Sequence, residues 1–257
     1  MAFSWDPARY LGYADHRARP FHDLLAQIGA EDPSLVVDLG CGAGNLTALL
    51  PRRWPGARVL GSDSSEQMVE AARGAVGPGV ELEVGDVRDW PDRGLRPDVL
   101  VSNAVLHWLP DHLDLLPGLA GTVAPGGWLA FQVPGSFGAP SHTLVTELAG
   151  RAPYAAHTGE VATMASHDPQ TYLRLLADLG WEVDAWETTY SHVLTGEDPV
   201  FGWISGTGLR PTVQALPPEL REQFEAELRP LLRAAYPEHG GVTVMPFRRV
   251  FVVARRP

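Results

Sequence analysis

Asp38, Asp63, Asp86 and Asn103 close four apolar stretches of this chain, LVVD, RVLGSD, VELEVGD and DVLVSN. Each supplies a hydrogen-bond acceptor, and the three acids supply negative charge at neutral pH. The first is followed at once by a glycine turn: in VVDLGCGAGN, residues 36–45, Gly40, Gly42 and Gly44 alternate with Cys41 and Ala43. Glycines this dense after a strand let the backbone come close to a ligand. Ligands of open α/β sheets lie beyond the carboxyl ends of the strands. Four polar ends and a glycine turn therefore predict one binding edge, suited to a ligand with donors and positive charge.

Spacing separates the ligand classes. A dinucleotide turn needs G-x-G-x-x-G; here Asn45 holds the place of the third glycine. A phosphate-binding P-loop needs a lysine, and all 20 basic residues are arginine. Asp38, two positions before Gly40, sits badly beside a pyrophosphate and well beside a cation. Asp63 stands where an acid accepts from both hydroxyls of a ribose. Asp86 stands where one can accept from an adenine amino group. Cys41, the single cysteine, reads as a small apolar filler, and with no cysteine pair no metal is expected.

The elements that must hold this edge alternate. Strands are expected at 35–40, 58–63, 80–86, 98–103 and 128–134, with helices at 45–54, 64–74 and 111–123 between them. Pro51 predicts a kinked or shortened first helix. Ser64 and Gln67 have the spacing of a capping box. Right-handed crossovers wind such units into a parallel sheet with helices on both faces. Beyond 134 the pattern changes. Helices are expected at 141–150, 168–180 and 218–236, an alternating strand at 181–194 and a last strand at 242–256, while 151–167 carries no clear signal. The whole reads as one α/β domain over 1–257. An N-terminal segment occupies 1–31, a cofactor-binding core 32–134, and a helical cap is drawn from 141–170 and 197–236.

Composition narrows the partners. With 45% hydrophobic and 20% charged residues the chain reads as globular. No apolar run reaches the roughly 18 residues of a bilayer span, and the N-terminus lacks the apolar core of a signal peptide, so a cytoplasmic location is expected. A net charge of −11 argues against a nucleic-acid or membrane-surface binder. The expected partner is a small molecule. A monomer is compatible with the sequence, which leaves the oligomeric state open.

Together, VVDLGCGAGN, LGSDSS, VGDVRDW and DVLVSNAVLHWL resemble the class I S-adenosylmethionine-dependent methyltransferases over residues 35–134. The resemblance implies a doubly wound, seven-stranded, mostly parallel Rossmann-like sheet of order 3-2-1-4-5-7-6, with 242–256 antiparallel. It implies S-adenosylmethionine as cofactor and S-adenosylhomocysteine as product. The glycine turn, with Gly40 and Gly42, would then pack against the methionine part, Asp63 would hold the ribose, and Asp86 with the Val87 backbone would face the adenine; Asp38, Ser64 and Met68 are further cofactor-binding candidates. Asn103 completes the edge. Tyr10 and Arg19 would reach the cofactor from the N-terminal segment, Arg19 at the methionine carboxylate, and Trp5 would lie on cofactor or acceptor. More narrowly, WDPARYLGYADHRARPF, VPGSFGAPSH, WISGTGLRP and FRRVFVVA are similar to methyltransferases acting on trans-aconitate. That likeness runs through the cap. It implies methyl transfer to a carboxylate of a small polycarboxylate, giving a monomethyl ester.

The chemistry agrees. A carboxylic acid with a pKa of about 4 is ionised at neutral pH, so the reaction needs alignment and anion binding rather than a base. Arginine's planar fork binds carboxylate bidentately. The candidates are Arg17, Arg210, Arg248 and Arg249, besides Arg19. Neighbours 248 and 249 point to opposite faces of a strand, so one of the two is expected at the site. His142 beside Ser141 is a candidate donor to a carboxylate, and Trp203 a pocket wall or a core residue. His107, in NAVLHWL, is the catalytic candidate: a donor to the acceptor, a base were the acceptor a hydroxyl, or a packing residue near adenine. A phenolic acceptor would require that base and an apolar pocket. A non-catalytic binding module would hold the cofactor and turn over nothing.

Overall fold

Five apolar stretches become the strands Leu35–Leu39 (β1), Arg58–Asp63 (β2), Val80–Val84 (β3), Val99–Asn103 (β4) and Trp128–Pro134 (β5), all parallel. The structure is a computed structural model, and it describes residues 14–159, 161 and 164–257. Strands covered on both faces must be apolar on both faces. Val36 accordingly packs under one helical layer and Val37 under the other. The first layer is Ala14–Ala26 (α1), with Leu50 of Leu50–Arg53 (α2) and Trp54 behind it. Glu66–Ala75 (α3) follows β2. The opposite layer is His112–Thr122 (α4), joined later in the chain by a further helix through Tyr172 and Leu176.

The second half of the chain supplies the cap. Pro140–Ala149 (α5) and Ala155–Thr158 (α6) precede Pro169–Asp178 (α7), the helix that carries Tyr172. Glu182–Leu194 (β6) is followed by Pro199–Ser205 (α8), Arg210–Ala215 (α9) and Pro218–Ala235 (α10). A two-residue strand, Glu238–His239 (β7), leads into Val242–Arg255 (β8). β8 lies antiparallel between β5 and β6, giving the order β3-β2-β1-β4-β5-β8-β6 with β7 against β8. The seven long strands thus stand in the expected order, and β7 is an addition.

Register explains where the cap sits. β5 pairs only with Arg249–Arg255 of β8, whereas β6 pairs along Thr243–Arg255. Residues 244–248 therefore run past the paired end of β5, with β6 as their strand partner. A separate apolar core forms on this extension, where Leu194, Met245 and Phe247 meet Leu148, Trp203 and Phe224.

The structure corrects the expected capping box, shows the shortening expected at Pro51 and supplies detail for 151–167. The cap of α3 is Ser65, not Ser64: its hydroxyl accepts the Met68 N–H at 3.3 Å. Asp63 takes the Ser65 N–H at 2.9 Å and holds the turn one residue longer, so no Ser64–Gln67 box forms. The expected first helix is split. Thr47–Leu49 is a 3-10 turn, and Pro51 sits in the first turn of α2, where a missing N–H costs nothing. The signal-poor stretch 151–167 contains α6, and its far end is pinned by backbone. Ala165 N–H donates to the His107 carbonyl at 3.0 Å, and His167 N–H to Tyr172 Oη at 3.1 Å.

Trp5 and Tyr10 lie outside the described residues, as does the side chain of Arg17. Among the described residues no helix is long and apolar enough to cross a membrane, and no cluster of His, Cys, Asp and Glu could hold a metal ion.

Candidate functional site

The strand order places the polar ends in sequence along one edge: Asp86, Asp63, Asp38, Asn103 and then Gln132 of β5. Adjacent strands are about 4.8 Å apart, so the edge from Asp63 to Gln132 is roughly 14 Å long.

Its first half is built on the glycine turn. Gly40 and Cys41 donate their N–H groups to the Ser62 carbonyl at 2.7 and 3.0 Å, closing the turn onto β2. Gly40 has φ of +77°, and a Cβ there would stand 2.1 Å from Val105 Cγ2. Only glycine meets both conditions. Asp63 Oδ2 accepts the Gly42 N–H and Oδ1 the Ser65 N–H, each at 2.9 Å. Each oxygen keeps acceptor capacity for a further donor. Burial pushes this carboxyl up, and the two backbone bonds oppose the shift.

Asp38 is 2% exposed and accepts the Thr47 hydroxyl at 2.7 Å. Burial pushes its pKa up to about 7; the Thr47 bond opposes this and the charge of Asp63 adds to it. The unfolded group titrates near 3.8. Between those values the folded state binds more protons than the unfolded one, so this contribution to stability falls as pH rises. His107 and His142 act in the reverse sense, since both are held neutral below the ordinary histidine value. Asp38→Asn isolates the first effect. Without ligand, its Tm relative to the parent protein is expected to climb between pH 5 and pH 8. Parallel Tm curves in calorimetry would refute the assignment.

The remaining residues of this half are placed as follows. Asp86 is exposed, caps the 3-10 turn Val87–Arg93 by accepting the Arg88 N–H at 2.9 Å, and lies 3.9 Å from the Arg88 guanidinium. Val87 is buried and joins the core beside Trp90. Met68 is buried on α3, and Ser64 is exposed before it. Arg19 lies on the surface of α1, 5.2 Å over the Tyr190 ring and 4.0 Å from Asp23.

The second half centres on Arg249, which is 7% exposed. Its Nη1 donates to Gln132 Oε1 at 3.3 Å, and Gln132 Nε2 donates to Asn103 Oδ1 at 2.7 Å. The guanidinium also lies 4.6 Å over the Phe247 ring. Arg249 borders a cavity of about 70 Å³ with Asn103, His107, Gln132 and His142. His107 is 4% exposed, packs 4.9 Å from Trp108 and 5.9 Å from Phe137, and has a buried Nδ1 without a hydrogen-bond partner. Burial first, then the charge of Arg249, keeps it well below the ordinary value. The same two causes bring His142, whose Nδ1 meets Ser141 Oγ at 3.1 Å, to about 4. A buried cation beside two neutral imidazoles is a place for an anion.

Two of the other expected substrate residues, Arg248 and Arg210, do not border this cavity. Arg248 points to the opposite face of β8, where it bridges Glu187 and Asp168 at 2.5 and 2.7 Å. Asp168 spends its carboxylate on that bridge and does not cap α7 with its side chain. Arg210 opens α9 and is not among the residues bordering this cavity or its neighbour. Trp203 is 2% exposed and stacks on His192 at 4.4 Å; it is a core residue of the cap that also touches the cavity. Sequence reading passed over Gln132 and Thr47. Gln132 carried the same signal as the four acceptors, a polar residue near the carboxyl end of an apolar strand.

The family model described as a methyltransferase domain matches residues 10–185. A trans-aconitate 2-methyltransferase of Mycolicibacterium gilvum is 54% identical over 262 residues, covering 98% of each chain. One of Mycobacterium sp. strain KMS is 52% identical over 258 residues, covering 98% of this chain and 99% of its own. Among solved structures, a putative methyltransferase from Bacillus halodurans shares the fold with a TM-score of 0.59 at 16% identity, over 93% of this chain and 99% of that one.

Proposed function

The chain belongs to the methyltransferase-domain family, and from that premise we propose that it methylates a carboxylate oxygen of trans-aconitate, or of a similar small polycarboxylate, using S-adenosylmethionine. When bound, that cofactor supplies an electrophilic methyl on a positively charged sulfur, which keeps the electron pair of the broken bond. The observation that carries the acceptor half of this reading is Arg249, a buried guanidinium at the end of β5.

The residues present fit the cofactor. Asp63 keeps an acceptor site on each oxygen for a ribose hydroxyl. Asp38 brings a buried carboxyl to the side where a cation would lie. No atom stands within 4 Å of a Cβ at Gly42, among the described residues, so the turn leaves open space there. Gly40, Ser64, Met68, Asp86 and Val87 are proposed to flank the same ligand, and Asn103 to divide it from the acceptor. Gly42 has φ of +55°, so alanine there costs about 1–2 kcal/mol of stability. Gly42→Ala is therefore expected to lower Tm by several degrees and cofactor affinity by tenfold or more. Retained affinity would place the ligand elsewhere.

Arg249 is proposed to hold an acceptor carboxylate by charge-assisted bonds, with Gln132 fixing its Nη1. In a water-poor cavity that attraction is stronger than in bulk water. The acceptor is already ionised at neutral pH, so no residue has to remove a proton. His107 is proposed to offer a hydrogen bond rather than basicity. The phenolic alternative requires His107 as a base, and a group held so far toward its neutral form is a weak one.

The test is turnover of labelled S-adenosylmethionine with trans-aconitate, cis-aconitate, isocitrate and a simple phenol. Base-labile label on trans-aconitate is expected, and between about pH 6.5 and 9 the acceptor itself adds no pH dependence to kcat/KM because it is ionised throughout. Label on the phenol alone would overturn the reading. Cofactor binding without transfer to any acceptor would return the chain to a binding module.

A further inference from the structure

We propose that the acceptor site continues from Arg249 into a second, mostly apolar cavity, and that the enzyme also methylates carboxylic acids bearing an apolar chain. The inference rests on reading Arg249 as the carboxylate anchor.

Volume is the first reason. The cavity at Arg249 measures about 70 Å³, while its neighbour measures about 370 Å³. Sites for small molecules are typically roughly 300–1,000 Å³, so the first suits one anionic group and the second the body of a ligand. Phe137, His142, Met164 and Gly208 border both. A molecule anchored at Arg249 has the larger cavity directly beyond His142.

Lining is the second reason. Val145, Ala149, Ala155, Val161 and Pro211 supply an apolar wall, and no acidic or basic residue stands among the described lining residues apart from His142. Three of the hydroxyls present are already engaged. Thr158 Oγ1 donates to the Ala149 carbonyl at 2.8 Å, Thr146 Oγ1 to the His142 carbonyl at 3.2 Å, and Ser141 Oγ meets His142 Nδ1 at 3.1 Å. A second or third carboxylate would find no arginine among the described lining residues, and burying an unpaired charge is costly. An alkyl chain meets matching surface and leaves water behind. The small cavity thus selects the anion, and the large one selects what the anion carries.

The experiment compares kcat/KM for trans-aconitate and for trans-butenedioates bearing methyl, propyl or hexyl at C2. The gain from methyl to hexyl is expected to be about tenfold or more, a fraction of the roughly fourfold per buried methylene that transfer data allow. Two variants narrow the large cavity from exposed positions on its wall, Ala155→Phe and Thr146→Trp. Both are expected to abolish the gain while trans-aconitate turnover persists. A flat or falling series in the unaltered enzyme, with trans-aconitate still methylated, would overturn the proposal, as would a gain surviving in both variants. Methylation of the hexyl acid without trans-aconitate would support the cavity assignment and overturn the polycarboxylate reading instead. Turnover of none of these acids would overturn both.

Discussion

Arg249→Met is expected to lower kcat/KM for trans-aconitate about 10²–10³-fold while changing the cofactor Kd by no more than about twofold. The substitution keeps most of the side-chain volume and removes the charge. Truncating one member of a buried, hydrogen-bonded charge pair costs roughly 2–5 kcal/mol, and that range sets the expected fold-change. Desolvation of a buried guanidinium offsets much of what its polar contacts contribute to stability, so Tm should change little. Arg249→Lys should recover less than tenfold, because a point charge cannot serve Gln132 and a carboxylate together as a planar fork does. A variant with unchanged kcat/KM would remove Arg249 from the acceptor site. A large rise in cofactor Kd would show that the arginine acts on the cofactor half.

The second large effect is expected at Asp63. Its carboxylate closes the glycine turn through Gly42 and Ser65 and retains acceptor sites for a ligand. Hydrogen bonds to a charged group are worth about 1.5–3 kcal/mol each. Asp63→Ala should therefore weaken cofactor binding about 10²–10³-fold in calorimetry. It should also lower Tm, because two backbone donors lose their partner. Asp63→Asn separates the roles: an amide still accepts at one oxygen, so Tm should recover more than affinity. Affinity equal to that of the unaltered protein would exclude Asp63 from the site.

The edge of the sheet was legible because parallel strands buried on both faces leave polar residues conspicuous at their ends. Asp38, Asp63 and Asn103 stand out from runs of Val and Leu for that reason. Gln132 obeys the same rule inside WLAFQVP, yet the two residues after it are apolar and mask the strand end. The alternation of Arg248 and Arg249 implied that one would turn inward. Which one does so depends on pairing with β5, where Arg249 stands opposite Pro134, and no local pattern encodes that register. The cap was less legible still. α6 has only four residues, and the cap's core forms on strand residues that also belong to the sheet. The neutrality of His107 and His142 arises from burial and from a guanidinium more than 100 residues away in the chain. No sequence window contains it.

The position of β8 also governs the order of assembly. It follows β6 in the chain yet lies between β5 and β6 in space, with Trp128 opposite Arg255. Until residues 242–255 are available, β5 and β6 have no shared partner and the cap helices lack Met245 and Phe247. Non-local pairing of this kind slows folding, because the loop must close before its contacts form. A nascent chain can therefore complete its glycine turn and first strands well before it has the proposed anion site. Catalytic competence should arrive in one late step, the insertion of a single strand that seals the sheet and delivers Arg249 together.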